Sequence, residues 1–372
     1  MKSILNIKLR LFFVAVLLLG GLSCSRERGP DIKDETITIS QFCAQYTEIV
    51  VGDETKTEVG SVNYKDYWNI GDELAVVNVT QGYRVDKYQS TTRVINDSEG
   101  LGVFTAVDAP AGGYTYESSD IIFVAYPYAA ISKVDDGGVI RLTDNKLTVT
   151  MTNNLSYTSK SNSPMFAQND IQVTNLMNAG TLQSEQANVT GITFNRLVAL
   201  IRVLSHVSTY PLNQEQVISL TVKAKQLSGT ADVVFSGNTV GSTPSISPNS
   251  GTSDAFTVEL PGRPKMGSTT TIAEFIPIFP IWMGNDATHN GYAVVYETDN
   301  YYVGFHRERD ATFGGDSVLA WMIFEGTYSQ VPSEASADGD FKWWYSPKTD
   351  ADLEGGSQSG SYTDGGDLVD PN

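Results

Sequence analysis

The feature that most constrains this chain is a recurrence of short apolar or alternating runs, each closed by a turn signal. ELAVVNVTQGYRV, GVFTAV, SDIIFVAYPY, NKLTVTMT, EQVISLTVKA, TADVVFSG, AFTVEL, TTTIAEFIPIFPIWM, GYAVVYETDNYYVGFHR and SVLAWMIFEGTY are rich in β-branched and aromatic residues, which suit a pleated, half-buried surface. Between them lie DAPAGGY, VDDGG, FSGNTVGS, SPNSGTSD and PGRPKMGS, where Gly, Asn and Asp allow positive φ and Pro fixes it. No stretch sustains a helical period. The pattern predicts an all-β protein of antiparallel sheets packed face to face, that is, β-sandwiches. GITFNRLVALIRVLSHV could be drawn as a short helix. The alternation of Ile192, Phe194, Leu197, Ala199, Ile201 and Val203, with one bulge, favours a strand.

A chain of 372 residues is long for one domain and suits two. The polar gap QSEQAN separates two strand-rich halves, giving an N-terminal domain over residues 35–185 and a C-terminal domain over 186–346. Residues 347–372 are acidic and rich in Gly and Ser without apolar periodicity, and are expected to form a disordered tail.

The start of the chain reads as an export signal over residues 1–23: MKSILNIKLR is basic, LFFVAVLLLGGL is apolar, and small residues lead to Cys24. The apolar run is shorter than the roughly 20 residues a membrane-crossing helix needs. GGLSCS resembles the signal box of bacterial lipoproteins, in which the cysteine is acylated and becomes the mature N-terminus. Cys24 is accordingly the expected lipidation site, with 24–34 as a linker. Two acyl chains suffice for stable anchoring at about 0.8 kcal/mol per buried methylene. The remaining cysteine, Cys43, then has no partner for an intrachain disulfide and is expected to be a small buried side chain in a strand.

A formal net charge of −18 argues against nucleic acid as a partner, because phosphate backbones are bound by clustered Lys and Arg. His206, His289 and His306 share no metal-ligand spacing, and no Gly-x-Ser-x-Gly elbow occurs. The expectation is a chain without cofactor, metal or catalytic residues. Aromatic clusters suggest contact instead. Trp343, Trp344 and Tyr345 in KWWYS are the candidate residues for a partner or glycan, since aromatic faces stack on sugars.

WNIGDELAVV carries a turn at Gly71 and Asp72 before an apolar strand. Asp72 can bond backbone amides near that turn, and Trp68 can cover the core at the strand's entrance. Together with IIFVAYPY (Ile121 to Tyr128), NSPMFAQ (Asn162 to Gln168) and FNRLVALIRVLS (Phe194 to Ser205), behind a lipoprotein signal, this stretch resembles the fimbrillin family, the pilin-like lipoproteins of Bacteroidales. The resemblance covers about Glu35 to Tyr345. It implies two tandem transthyretin-like β-sandwich domains and a lipid-anchored outer-membrane or fimbrial location. In polymerising members an arginine-specific protease removes the first strand, and a strand from the next subunit fills the groove. The partners implied are other pilin subunits by strand exchange, with a host or glycan ligand possible for an adhesin.

Two features of this chain depart from that scheme. No arginine lies between Arg28 and Arg84, the nearby basic residues being Lys33, Lys56 and Lys65, and the segment after Tyr345 lacks the alternation of a donor strand. The function expected is therefore a non-catalytic accessory or anchor subunit, or a surface adhesin. The alternative is a glycan-binding lipoprotein using exposed aromatics.

Overall fold

The computed structural model describes residues 35–45, 68–96, 99–110, 112–156, 169–184, 191–206, 212, 214–249, 253–267, 270–279, 281–283, 292–307, 316–318, 323–329 and 341–348. The export signal, Cys24, the linker, Lys33, Lys56, Lys65, NSPMFAQ, the boundary at 185/186 and the tail after Lys348 lie outside them. The protein is mostly β, its strands pairing mainly antiparallel, with one short α-helix, Gly180–Ser184, among the described residues. The described residues from Thr36 onward belong to one compact unit.

The organising sheet runs, in spatial order, Asn195–Arg196, Gln172–Val173, Ile121–Tyr126, Glu73–Asn78, Arg84–Asn96, Glu99–Ala106 and Gln41–Gln45. Its central strands are buried on both faces. Leu74, Val76, Ile122, Val124 and Tyr126 enter one apolar cluster, whereas Ala75, Val77, Phe123 and Ala125 enter another. ELAVV and IIFVAY are thus continuous apolar runs because each side chain, up or down, meets a packed layer.

One covering layer comes from the start of the described chain. Thr36–Ile39 pairs antiparallel with Tyr114–Glu117, setting Ile37 opposite Tyr116 and Ile39 opposite Tyr114. The chain turns a corner at Ser40, and Gln41–Gln45 pairs with Glu99–Ala106 instead. The corner shifts the alternation by one, so that Ile37, Ile39, Phe42 and Ala44 all point inward. Cys43 consequently faces the other way and is half-buried, not a core side chain.

The opposite layer comes from later in the chain. Val149 and Met151 of Thr148–Met151, with Ala231 and Val233 of Val217–Phe235, pack against Ala75, Val77, Phe123 and Ala125. EQVISLTVKA and TADVVFSG, which read as separate strands, are two ends of this 19-residue strand. The near end pairs with Ser253–Glu259 and Tyr292–Thr298, the far end with Thr148–Met151 and Pro244–Pro248. KQLSG does not stop it. The register to Ser253–Glu259 shifts between Lys223 and Ser228, with positive φ at Gln226 and Gly229, so the strand is redirected rather than ended.

ELAVVNVTQGYRV differs in the other sense: it is a hairpin, not one strand. Asn78 ends the first arm, its Oδ1 accepting from Gln81 N at 3.0 Å, and positive φ at Gly82 and Tyr83 returns the chain into Arg84–Asn96. The strand reading of GITFNRLVALIRVLSHV holds. Asn195–Arg196 joins the organising sheet, and Ala199–His206 pairs antiparallel with Thr270–Ile278, with a register irregularity between Ile201 and Val203, and parallel with Ile323–Ser329.

Gly113 shows how tightly the first strand sits. Its φ is +119°, and a Cβ there would lie 2.3 Å from the Ile39 carbonyl oxygen. Gly113→Ala is expected to cost at least about 2 kcal/mol in urea unfolding, since left-handed strain alone costs about 1–3 kcal/mol. Gly112→Ala, whose Cβ meets only Thr38 Cγ2 at 4.0 Å, isolates the strain term without the backbone clash.

Candidate functional site

Three of the four sequence motifs meet in space, around Trp68. The chain enters Glu73–Asn78 through a turn in which Asp72 N donates to Asn69 O at 3.1 Å and Asn69 N donates to Asp72 Oδ2 at 2.7 Å. Gly71 supplies the positive φ of 98° that the turn needs. The turn throws Trp68 inward, where it is fully buried.

Its ring makes edge-on contacts with Phe104, Tyr126 and Phe194 at centroid distances of 5.0, 5.1 and 5.7 Å. It lies so close to Gly102 that a Cβ there would come within 2.8 Å of Trp68 Cδ1. Its indole Nε1 donates to Ala44 O at 2.9 Å. Trp68 therefore joins WNIGD to the end of IIFVAYPY, to the start of FNRL, and to the first-strand segment.

That segment is held from several directions. Tyr88 Oη donates to Ile39 O at 3.0 Å, and Ala106 N donates to Ser40 O at 2.9 Å. On the free side of Gln41–Gln45, Ile192 N donates to Cys43 O and Gln45 N donates to Ile192 O, both at 2.9 Å. Residues on either side of the 185/186 boundary thus hydrogen-bond across the beginning of the chain.

Beside Trp68 the core becomes polar. Arg196 and Asp170 form a fully buried ion pair, Arg196 Nε to Asp170 Oδ1 at 2.7 Å and Nη2 to Oδ2 at 3.0 Å. Gln172 Nε2 donates to Asp170 Oδ2 at 2.6 Å, and Gln172 stands opposite both Tyr126 and Arg196 in the sheet register. The half-buried Asp72 lies near Tyr126. Burial pushes the Asp72 carboxyl up to about 6, against the opposing effect of the Asn69 amide. Burial also lifts the Tyr126 phenol well above its usual range, and the Asp72 and Asp170 charges add to this.

This arrangement is an interior lock. Its ionisable groups are engaged with one another, and among the described residues no group of three or more His, Cys, Asp or Glu side chains is placed to hold a metal ion. Asp170 and Gln172 escaped the sequence reading. They stand in the polar stretch NDIQVTN, of which only Gln172–Val173 is a strand, so no alternation marks them.

The candidate contact residues lie elsewhere. Phe341–Pro347 pairs antiparallel with Tyr301–Arg307, placing Trp343 opposite Phe305, Trp344 opposite Gly304 and Tyr345 opposite Val303. It is the outermost strand of its sheet among those described. Lys348, just beyond it, anchors the strand's end: its amide donates to Asn300 O at 2.8 Å, and its Nζ pairs with Glu297 at 2.8 Å and lies 5.2 Å from the Tyr302 ring centre.

No protein-family model matches the chain, and no curated protein does. Solved structures do show similarity. One, described as a "putative cell adhesion protein" from Bacteroides ovatus ATCC 8483, has a TM-score of 0.46 and 12% identity, over 84% of this chain and 96% of that one. Another, with the same description, from Parabacteroides distasonis ATCC 8503, has a TM-score of 0.30 and 10% identity, over 76% of this chain and 83% of that one.

Arg196→Met is expected to lower stability by about 3–5 kcal/mol, because it leaves Asp170 as a buried, unpaired carboxylate. The double change Asp170→Leu with Arg196→Met should recover much of that loss. Equal losses in urea unfolding for the single and double variants would contradict the lock.

Proposed function

We propose that this chain is a non-catalytic, fimbrillin-like surface lipoprotein, an accessory or anchor subunit of a pilus or a cell-surface adhesin, held at the outer membrane by lipid on Cys24. The observation that carries the reading is the seating of Thr36–Gln45. Removing that segment would strip partners from Tyr114–Glu117 and Glu99–Ala106 and uncover Phe104, Tyr116 and Trp68. Such an opened groove, with unpaired backbone and apolar pockets, is what a donated strand can fill. In the intact chain its own residues occupy that place. Cleavage at Arg28 would release the lipid and leave the segment where it is.

The tandem arrangement, residues 35–185 and 186–346 as two transthyretin-like sandwiches, belongs to this proposal. It is supported by a second sheet whose main path, apart from Asn154–Ser156 at one end, uses Ser253–Glu259, Val217–Phe235, Tyr292–Thr298, Tyr301–Arg307 and Phe341–Pro347. Thr148–Met151 and Asn154–Ser156 join that sheet from before the boundary.

The second reading, a glycan-binding lipoprotein, draws on Trp343, Trp344 and Tyr345 lying on an outermost described strand, where a partner can approach.

Mass analysis of the mature N-terminus from the native membrane should find acylated Cys24 and no later cut. A start beyond Val50 would overturn the accessory or anchor reading in favour of a polymerising subunit. Glycan-array binding that disappears in the Trp343→Ala, Trp344→Ala variant, with folding retained, would favour the second reading.

A further inference from the structure

The long strand Val217–Phe235 turns back into Pro244–Pro248, a five-residue strand reading PSISP. This strand pairs antiparallel with Val217–Phe235 and, among the described residues, with no other, so its far side is a sheet edge. An edge is a template for a strand of another molecule wherever its amides and carbonyls point outward.

Register decides which groups those are. Ser236 N donates to Thr243 O and Asn249 N donates to Thr230 O, both at 3.0 Å. These two pairs bracket the strand and lie in phase with Val234 opposite Ser245 and Asp232 opposite Ser247. Antiparallel pairs alternate between hydrogen-bonded and non-hydrogen-bonded. Ser245 and Ser247 therefore turn their backbone groups toward Val217–Phe235, whereas Pro244, Ile246 and Pro248 turn theirs away. The partner strand keeps the same phase, since Val233, opposite Ile246, sends its amide to the other side, to Leu147 O at 2.8 Å. Proline has no amide hydrogen. Of the outward positions, Pro244 and Pro248 thus offer only a carbonyl, and Ile246 N is the one donor left on this edge of the strand.

The surroundings of the edge invite association. PSISP carries no charge, and Ser245 and Ser247 are exposed. Val234, opposite Ser245, and Val240, in the connection of the hairpin, are each 51% exposed. Exposed apolar side chains beside an open ladder are a pairing hazard that Lys, Pro or a bulge ordinarily blunts. We propose that Pro244 and Pro248 are gatekeepers, which leave the PSISP edge too poor in donors to accept a strand and so keep a second copy of this chain from pairing there. Two such strands set antiparallel about Ile246 would form one amide-donated bond per copy, and with both amides restored they would form three. The guard depends on this hairpin alone, and operates whether or not Thr36–Gln45 is ever removed.

The test combines amide exchange at Ile246 with the sedimenting mass of the full chain. In wild type the Ile246 amide should exchange far faster than those of Ser245 and Ser247. Equal protection of the three would show an edge already covered, and would overturn the proposal without any variant. Pro244→Thr with Pro248→Thr restores both outward amides; it should double the mass relative to wild type and slow exchange at Ile246. A folded double variant of unchanged mass would overturn the proposal, as would a dimer in which Ile246 exchanges as fast as before. Ser245→Thr with Ser247→Thr raises strand propensity at positions whose amides face inward, and should leave the mass unchanged. Association of that variant to the same extent would assign the effect to propensity rather than to the missing amides, and would contradict the guard.

Discussion

Everything described in the first half of this protein depends on where the Trp68 indole goes. A tryptophan can be buried only if its N–H finds an acceptor, and here the acceptor is the Ala44 carbonyl, 24 residues earlier in the chain. That one bond ties the beginning of the fold to its centre. The ring then serves as the common surface for Phe104, Tyr126 and Phe194, which come from three separate parts of the sequence. Aromatic pairs of this kind add about 0.5–1.5 kcal/mol each beyond the area they bury. The glycines around the site follow from it: Gly102 because the ring lies on its backbone, and Gly191 because a Cβ would meet Leu101 Cδ2 at 2.7 Å and the Ala44 backbone at 3.1 Å.

Next to this apolar junction the Asp170–Arg196 pair does something different. Two charges removed from water recover little net stability, because desolvation offsets most of their attraction. What the pair contributes is register. Arg196 is opposite Gln172 in a two-residue ladder, and Gln172 is opposite Tyr126. Ladders this short specify alignment weakly by themselves. A bidentate guanidinium that is satisfied in one alignment fixes it, so Phe194 arrives against Trp68 and Ile192 arrives beside Cys43 and Gln45.

The sequence made much of this legible, and what it hid has a physical reason. The turn at Gly71 and Asp72 was readable because its donors and acceptors lie within four residues. The corner at Ser40 was not, because a change of partner sheet leaves the composition unchanged. The hairpin at Asn78–Arg84 was missed because VTQGY lacks the short Asn-Gly signal, and its positive φ at Tyr83 is set by the surrounding structure. Val217–Phe235 was divided in two because KQLSG resembles a loop, although a register shift lets a strand pass through such residues. Of the candidate site, Trp68 and Asp72 could be read as a structural pair, but the 26-residue separation of Asp170 and Arg196 put their pairing beyond any local pattern. Cys24 belongs to residues the structure does not describe, and Trp343, Trp344 and Tyr345 are placed by strand register alone.

The functional account rests on Thr36–Gln45 being as much a part of the fold as the central strands. Native-state amide exchange measures this directly, by comparing Phe42, Ala44 and Gln45 with Val76 and Val77 across a denaturant series. The account predicts that both sets exchange only through global unfolding, with the same free energy and the same denaturant dependence. Exchange of the first-strand amides at a distinctly lower free energy, with little denaturant dependence, would show a segment that detaches while the core stays closed, and would contradict it.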